Sequence, residues 1–274
     1  MDESAALGYP VEDADVLTLR RLEAEALRRA VLAAFETGSD SGARKTSAGW
    51  AATALTLRRE RRQILVDAAA QYERDVERCE GLAYYVEGRV AGRPRCLGAL
   101  AEPVRPDDIR RAAYATGEAI ALLLDRFTPG WQARLETDDT SYLDDLLQPA
   151  VADATRRDFS AGHRATAVAR AREAVAALRE ERRSRRQALL ARNDKVVLTT
   201  TGHKPLRVLG LDPMNLHRLG SRDVLPTRYL KLGGEGFVLE LFDCQALTEG
   251  AGDHPLFDGL RRVTFIGGDG AGAP

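Results

Sequence analysis

The spacing of hydrophobic residues divides the chain into a long helical part and a shorter part rich in strands. Residues 13–35 repeat apolar side chains close to every 3.6 positions, which predicts a helix that ends in the loop-forming residues 37–42. Residues 47–90 predict a second helical run that is broken once. A third helix is expected to open at residues 106–108, where a proline and two carboxylates suit a helix N-terminus, and to end at residues 128–130.

Two more helices are predicted before the pattern changes. Residues 141–151 indicate a short helix, and a long charged helix follows to about residue 193. The narrow apolar stripe of the long helix consists of Val168, Ala171, Val175 and Leu178. Its arginine-rich segment, residues 179–186, is interpreted as a solvated face with internal ion pairs rather than as a patch for a polyanion.

The last part of the chain is rich in short β-forming runs separated by turn residues. The predicted strands cover residues 195–200, 206–211, 225–232, 237–242 and 263–266. The predicted fold class is therefore α+β. A mainly helical bundle over residues 1–192 is followed by a small antiparallel β domain over residues 193–274.

Composition and charge exclude several classes of function. The 274 residues include 40 Lys or Arg and 41 Asp or Glu, and the net charge of -1 gives no overall field that favours nucleic acid. No stretch approaches the roughly 20 apolar residues of a membrane span, and the first residues lack the pattern of an export signal. We therefore expect no nucleic-acid partner, no membrane span and, for a chain that starts at Met1, a cytoplasmic location.

Two glutamates fall beside the apolar face of the second helical run. On a continuous α-helix, the core face of this run consists of Tyr72, Val76, Cys79, Ala83, Val86 and Val90. Glu80 and Glu87 lean into that face, where a carboxylate needs a metal, an arginine or a helix N-terminus as partner. The arginines of residues 58–62 are one source of such a partner. Gly81 and Gly88 follow the two glutamates and predict that another backbone packs closely there.

The same segment resembles a motif of a known enzyme family. Residues 79–87 read C-E-G-L-A-Y-Y-V-E and are similar to the N-E-G-F-A-x-Y-x-E segment of the aminopeptidase N-like gluzincins, which are zinc metallopeptidases. The resemblance implies that Glu80 is the third zinc ligand and that Glu87 supports the site. Residues 114–125, Y-A-T-G-E-A-I-A-L-L-L-D, resemble the Y-x-x-G helix that follows the ligand helix, and imply a substrate-side hydroxyl at Tyr114. The implied cofactor is zinc, the implied substrate is a peptide, and the helical part would be the family's C-terminal helical subdomain.

The H-E-x-x-H motif of that family has no counterpart in this chain. Its two histidines bind the zinc ion, and its glutamate activates the metal-bound water. The chain has four histidines, namely His163, His203, His217 and His254. All of them follow Glu80, and no two are spaced one helical turn apart. We therefore expect the chain alone not to hydrolyse peptides.

Two explanations for the missing motif stay open. One explanation is that the true start lies upstream of Met1, so that a histidine helix and an export signal precede it, and the abrupt opening into a helix favours this explanation. Otherwise the chain is a degenerate homologue that kept the scaffold. The alternative from another functional class is a non-catalytic helical protein-binding module, whose β domain or arginine-rich helix recognises the partner.

Overall fold

The architecture is α+β, as predicted, with helices followed by antiparallel sheets. The computed structural model describes residues 5–35, 40–102, 104–200 and 204–266. The chain divides into two compact units, Met1–Ala176 and Ala177–Pro274, and the boundary falls inside one long helix. Within the described ranges, no helix is both long and apolar enough to cross a membrane.

The first unit is built from helices around a large apolar core, beside a smaller cluster of Leu17, Ala171 and Val175. In chain order the helices are α1 (Ala5–Gly8), α2 (Ala14–Phe35), α3 (Asp40–Ile64), α4 (Asp67–Val76), α5 (Leu82–Val90), α6 (Cys96–Ala101), α7 (Ile109–Phe127), α8 (Trp131–Thr137), α9 (Leu143–Ala150) and α10 (Ala161–Leu190), which continues into the second unit. The core includes Leu27, Trp50, Ile120, Leu123, Leu124, Trp131 and Leu147. The predicted start of α7 is confirmed, because the Asp108 side chain accepts the backbone N–H of Arg111 at 3.3 Å.

A π-helical turn in the middle of the second predicted run changes which face is buried. α4 passes through the π-helical turn Glu77–Gly81 and continues as α5. Hydrogen bonds in a π-helix join residues five apart, so this turn holds one residue more than an α turn. The extra residue rotates everything that follows by roughly 100° relative to a continuous α-helix.

The predicted core face is therefore right before the π-helical turn and wrong after it. Tyr72 and Val76 are buried. The predicted members that are exposed are Cys79, Ala83, Val86 and Val90. The positions buried instead are Gly81, Tyr85 and Gly88. Glu80 is half-buried and Glu87 is exposed, so the two carboxylates do not lean into the core as a continuous helix would require.

Another backbone packs closely at Gly81, as predicted, whereas at Gly88 the nearest group is the side chain of Glu118. A Cβ added at Gly81 would lie 2.8 Å from the Cα of Gly117 in α7, and its nearest backbone oxygen would be that of Ala113 at 3.3 Å. A Cβ at Gly88 would meet the carboxyl group of Glu118 and would lie 3.2 Å from the Arg93 carbonyl oxygen. Gly81 and Gly117 therefore allow the π-helical turn and α7 to cross with their backbones almost in contact.

The second unit contains two antiparallel sheets. Its strands are β1 (Lys195–Thr199), β2 (Arg207–Leu211), β3 (Leu216–Arg218), β4 (Asp223–Pro226), β5 (Tyr229–Gly234), β6 (Phe237–Phe242), β7 (Ala246–Gly250) and β8 (Leu260–Ile266). One sheet has the order β1-β8-β7-β4-β3, and the other has the order β2-β5-β6. Leu189 near the end of α10 packs on the larger sheet against Leu219, Leu225 and Leu247.

The strand predictions are right in part. The predicted strand over residues 225–232 is wrong, because the chain changes sheets between β4 and β5. Pro226, which has no N–H to donate, is the last residue of β4. β3 and β7 were not predicted, and β7 is buried along its whole length, so it lacks the alternation that marks a half-exposed strand.

The charged part of α10 carries internal ion pairs, as predicted, but it is not solvated throughout, because Arg182 is buried and Arg186 pairs with Asp223 at 2.9 Å. Arg183 pairs with Glu180 at 2.6 Å, and Arg185 pairs with Glu181 at 2.7 Å. These pairs are three and four residues apart, the spacing at which helical side chains meet.

Candidate functional site

Glu80, the implied zinc ligand, is ion-paired with an arginine. It lies in the π-helical turn with its side chain 37% exposed. Nη2 of Arg110, from the first turn of α7, donates to Glu80 Oε1 at 2.8 Å. An arginine partner was one of the alternatives for this carboxylate, but it comes from α7 and not from residues 58–62.

Tyr114 and Glu87 belong to the same surface cluster as Glu80. The Tyr114 hydroxyl accepts a hydrogen bond from Nε of Arg110 at 3.3 Å, and its ring lies 6.3 Å from that of Tyr84. The guanidinium of Arg95 lies 4.2 Å from the centre of the Tyr84 ring and donates to Glu87. The structure therefore brings the three predicted residues to one surface, joined by two arginines and one tyrosine.

The immediate surroundings of Glu80 do not by themselves fit a zinc ion. Glu80 is paired with a guanidinium, which carries only donors, so a metal ion at Glu80 would have to displace Arg110. Among the residues that the structure describes, no group of three or more His, Cys, Asp or Glu side chains is arranged to hold a metal. The zinc implied by the resemblance stays a prediction that requires further ligands.

The histidines have other surroundings. His163 lies in α10 with its ring stacked 4.7 Å from that of Phe159. His217 is exposed in β3. His254 accepts the backbone N–H groups of Leu256 and Phe257 through Nδ1, at 3.1 and 3.0 Å. His203 lies outside the described residues.

The Tyr85 position of the resemblance is part of the core. Its hydroxyl donates to Asp125 Oδ2 at 2.8 Å, and Nε1 of Trp131 donates to Asp125 Oδ1 at 3.0 Å. Burial and the neighbouring carboxylate raise the pKa of Tyr85. The tyrosine and tryptophan thus anchor α5 to α7 and α8.

A layer of buried charges lies inside the first unit. This buried charge layer consists of Glu23, Arg58, Arg61, Glu73 and Glu77. Arg58 donates through Nε to Glu23 at 2.7 Å and through both Nη atoms to Glu77 at 2.7 and 2.6 Å. Arg61 donates through Nη2 to Glu23 at 2.8 Å and through Nη1 to Glu73 Oε2 at 2.6 Å. Each arginine is therefore shared between two carboxylates.

Two hydroxyl groups complete the buried charge layer. The Tyr9 hydroxyl donates to Glu73 at 2.5 Å, and the Thr116 hydroxyl donates to Glu77 at 2.7 Å. Burial opposes the ionisation of Glu23, but Arg58 and Arg61 hold its pKa below its usual value. Burial and the charge of Glu73 raise the pKa of Tyr9, so this phenol stays a neutral donor. Charges can be buried when they are paired and hydrogen-bonded, and the charges of this layer are.

A cavity of about 210 Å³ opens between α2, α6, α7 and the first part of α10, all within the first unit. We call it the arginine cavity, because Arg20, Arg21 and Arg170 line it. Its apolar wall includes Leu22, Ala24, Leu100, Ala112, Ala115 and Ala167. The cavity thus combines cationic groups with an apolar surface, a combination typical of small-molecule sites.

Two guanidinium nitrogens of the arginines that line the cavity have no hydrogen-bond partner among the described residues. They are Nη1 of Arg20 and Nε of Arg21, and both atoms are buried. Arg20 is only 6% exposed, and its Nη2 donates to the carbonyl oxygens of Arg105 and Pro106 at 3.0 and 2.9 Å. Burial, together with the charges of Arg20 and Arg170, lowers the pKa of Arg21. The three positive charges therefore destabilise one another. A negative charge placed among them would stabilise them.

Sequence reasoning missed both the buried charge layer and the arginine cavity. Arg58 and Arg61 are three residues apart and Glu73 and Glu77 are four apart, so each pair lies on one face of its helix. The signal in the sequence is that each pair points the same way as the apolar residues beside it. The arginine cavity has no such signal, because its lining comes from four helices far apart in the sequence.

We compared the chain with protein-family models, with curated proteins and with solved structures, and none of them matched. The gluzincin resemblance accordingly stays a prediction that rests on residues 79–87 and 114–125.

Proposed function

We propose that the helical unit is a non-catalytic binding module for a small organic anion, which occupies the arginine cavity. A non-catalytic binding module was the alternative function expected from the sequence. The proposal keeps this class but replaces the protein partner with a small anion. The observation that carries it is the buried side chain of Arg20, whose Nη1 lacks a hydrogen-bond partner among the described residues and which lines the cavity.

A buried N–H group without a partner is costly. Leaving such a donor unsatisfied costs about 1–3 kcal/mol, and more when the group is charged. Nη1 of Arg20 and Nε of Arg21 are two such donors without a partner among the described residues. Charge-assisted hydrogen bonds from a guanidinium to an anion are about twice as strong as neutral ones, so an anion that gains access to these donors when the arginine side chains move would offset the cost.

The carboxylates at the arginine cavity already have other partners. Glu25 accepts from Arg28 and Arg29 at 2.7 Å each. Glu102 pairs with Arg111 at 2.9 Å. Since these glutamates are engaged by arginines that do not line the cavity, a ligand is the remaining source of negative charge.

The test is the thermal unfolding of the full chain in sodium acetate, sodium phosphate and sodium sulfate, each compared with sodium chloride at the same ionic strength. We expect at least one of these anions to raise the unfolding temperature, because a ligand that binds only the folded state stabilises it. Isothermal titration with the same anion then gives the affinity. Arg21→Gln is expected to weaken binding roughly tenfold or more, since it removes a charged donor.

A matched pair of variants on α10 separates the cavity from general charge effects. Arg170→Gln removes a cation that lines the cavity, whereas Arg172→Gln removes an exposed cation two residues further along the same helix. Weaker binding is expected for Arg170→Gln alone. Equal losses in the two variants, or no anion effect beyond that of chloride, would overturn the proposal.

A further inference from the structure

We infer that the outer edge of β6 binds an extended peptide segment in which a basic residue lies between two apolar residues, each two positions away. Such a segment would add a further strand to the sheet β2-β5-β6. The inference concerns the second unit and does not depend on the anion-binding function proposed for the first. It rests on the backbone, the apolar side chains and the charge that this edge presents.

The outer edge of β6 carries backbone groups without a strand partner among the described residues. β6 is the last strand in the order β2-β5-β6, so β5 occupies one of its edges and the other is open. The backbone N–H of Asp243 donates to the Arg228 carbonyl oxygen at 2.7 Å, so every second residue from 243 back to 237 faces β5. The N–H and C=O groups of Val238, Glu240 and Phe242 therefore point away from β5 and can pair with an added strand.

Apolar side chains cover the face of the sheet beside this edge. Val238 is 60% exposed and Phe242 is 65% exposed, and the two share one face because they are four residues apart in a strand. A Cβ added to Gly233, the β5 partner of Val238, would lie 2.9 Å from Leu209 Cδ1, so Leu209 covers the same face. The Phe242 ring lies 5.1 Å from that of Tyr229. Apolar side chains of an added strand would extend this surface.

A carboxylate lies between the two exposed apolar residues of the edge. Glu240 is 37% exposed and pairs through Oε1 with Nζ of Lys231 in β5 at 2.6 Å. A carboxylate has two oxygens, so a second cation can bind on the open side. Opposite charges on directly opposed residues stabilise a strand pair, and like charges destabilise it. The residue of an added strand that lies opposite Glu240 should therefore be basic.

The same carboxylate makes a second copy of β6 a poor occupant. The antiparallel register that pairs all three outward residues with those of another copy sets Glu240 opposite Glu240. A shift by two residues loses one of the three pairs and sets Glu240 opposite Val238 or Phe242. Charged residues on edge strands oppose self-association in this way, whereas a strand with a central cation meets no such penalty.

The experiment is a calorimetric titration of the full chain with the acetylated and amidated peptide Thr-Val-Thr-Lys-Thr-Phe-Thr. Its valine, lysine and phenylalanine can lie opposite the three outward residues of β6. A second peptide with glutamate in place of the lysine should bind about fivefold more weakly, because it opposes two like charges.

Two singly N-methylated peptides test whether the backbone of the peptide binds the edge. Methylation at the lysine N–H removes a donor that an antiparallel strand directs at β6, whereas methylation at the preceding threonine removes one that points away. The first should weaken binding roughly tenfold and the second should leave it unchanged. The comparison alters the peptide alone, so the folding of the protein cannot affect it.

A matched pair of variants makes the same test on the protein. Val238→Pro removes an outward N–H without removing a hydrogen bond to β5, and Val238→Ile keeps that N–H. Binding of the lysine peptide should weaken roughly tenfold in the proline variant and stay unchanged in the isoleucine variant. Circular dichroism checks that both variants are folded.

Several results would overturn the inference. They are no binding of the lysine peptide at millimolar concentration, equal or tighter binding of the glutamate peptide, and equal losses from the two N-methyl groups. A dimer in sedimentation that Val238→Pro dissociates would also contradict it, because a second copy would then occupy the edge. Arg170→Gln should leave peptide binding unchanged, so failure of the anion-binding function is distinguishable from failure of this inference.

Discussion

Glu77 and Glu80 stand three residues apart in the same π-helical turn, yet they lie in opposite environments. Glu77 is buried and accepts from both Nη atoms of Arg58 and from the Thr116 hydroxyl. Glu80 lies at the surface and pairs with Arg110. Both are carboxylates paired with arginine, so the residue types do not distinguish them. Their position around the helix axis decides which pair is buried.

The two settings differ in what the ion pair contributes. A surface pair is screened by water and salt and typically stabilises by about 0–1 kcal/mol. In the buried charge layer, losing one partner leaves a charge without compensation inside the protein, which typically costs about 3–5 kcal/mol. The buried charge layer is therefore the part of the first unit in which single polar substitutions have the largest effect.

Arg58→Met is expected to cause the largest loss. It removes the cation that pairs with Glu77 and one of the two cations that pair with Glu23, so the unfolding free energy should fall by about 3–5 kcal/mol. Urea unfolding followed by circular dichroism measures the change.

The neighbouring arginine gives the control for that variant. Arg59 is exposed, so Arg59→Met makes the same change of residue type without touching the buried charge layer. Its effect should stay within about 0.5 kcal/mol. Similar losses in the two variants would show that the buried charge layer does not hold the first unit together.

Gly81→Ala is expected to have the next largest effect. The added methyl group would lie 2.8 Å from the Cα of Gly117, so α7 and the π-helical turn must move apart. Overpacking of this kind typically costs about 1–3 kcal/mol, although alanine is the better helix former by about 1 kcal/mol. The unfolding free energy should fall, as measured by the same urea titration.

Gly98→Ala is the matched substitution at an open position. Gly98 lies in α6, and a Cβ added there has no neighbour within 4 Å in the described structure. This variant should be neutral or more stable by up to about 1 kcal/mol. A stable Gly81→Ala protein would instead mean that the two backbones do not cross closely.

The long helices were largely predictable from the sequence because their signals are local, whereas α6 and α8 were not predicted and α3 begins at Asp40, inside the predicted loop over residues 37–42. The apolar period located α2 and the stripe of α10, and the proline and carboxylates before α7 marked its start. The π-helical turn has no such signal, since one extra residue changes only how later positions face the core. This is why Tyr72 and Val76 were placed correctly and Val86 was not.

The candidate sites depend on contacts between distant segments, and the sequence alone does not specify those contacts. Glu80 was expected to need an arginine or a metal, but its pairing with Arg110 follows from the crossing of α7 over the π-helical turn. The arginine cavity needs the side chains of four helices in place, and the lack of a partner for Arg20 Nη1 is visible only then.

Glu80→Gln is expected to have the smallest effect of the three substitutions. It removes one charge of a pair whose members are 21% and 37% exposed, and the unfolding free energy should fall by less than about 1 kcal/mol at low salt. At 1 M salt the Debye length is about 3 Å, so most of even this loss should disappear. Glu77→Gln makes the same change three residues earlier and should destabilise the protein by several times as much, because Arg58 then keeps an incomplete set of buried partners. Equal effects of the two variants would show that the π-helical turn does not separate a buried pair from a surface pair.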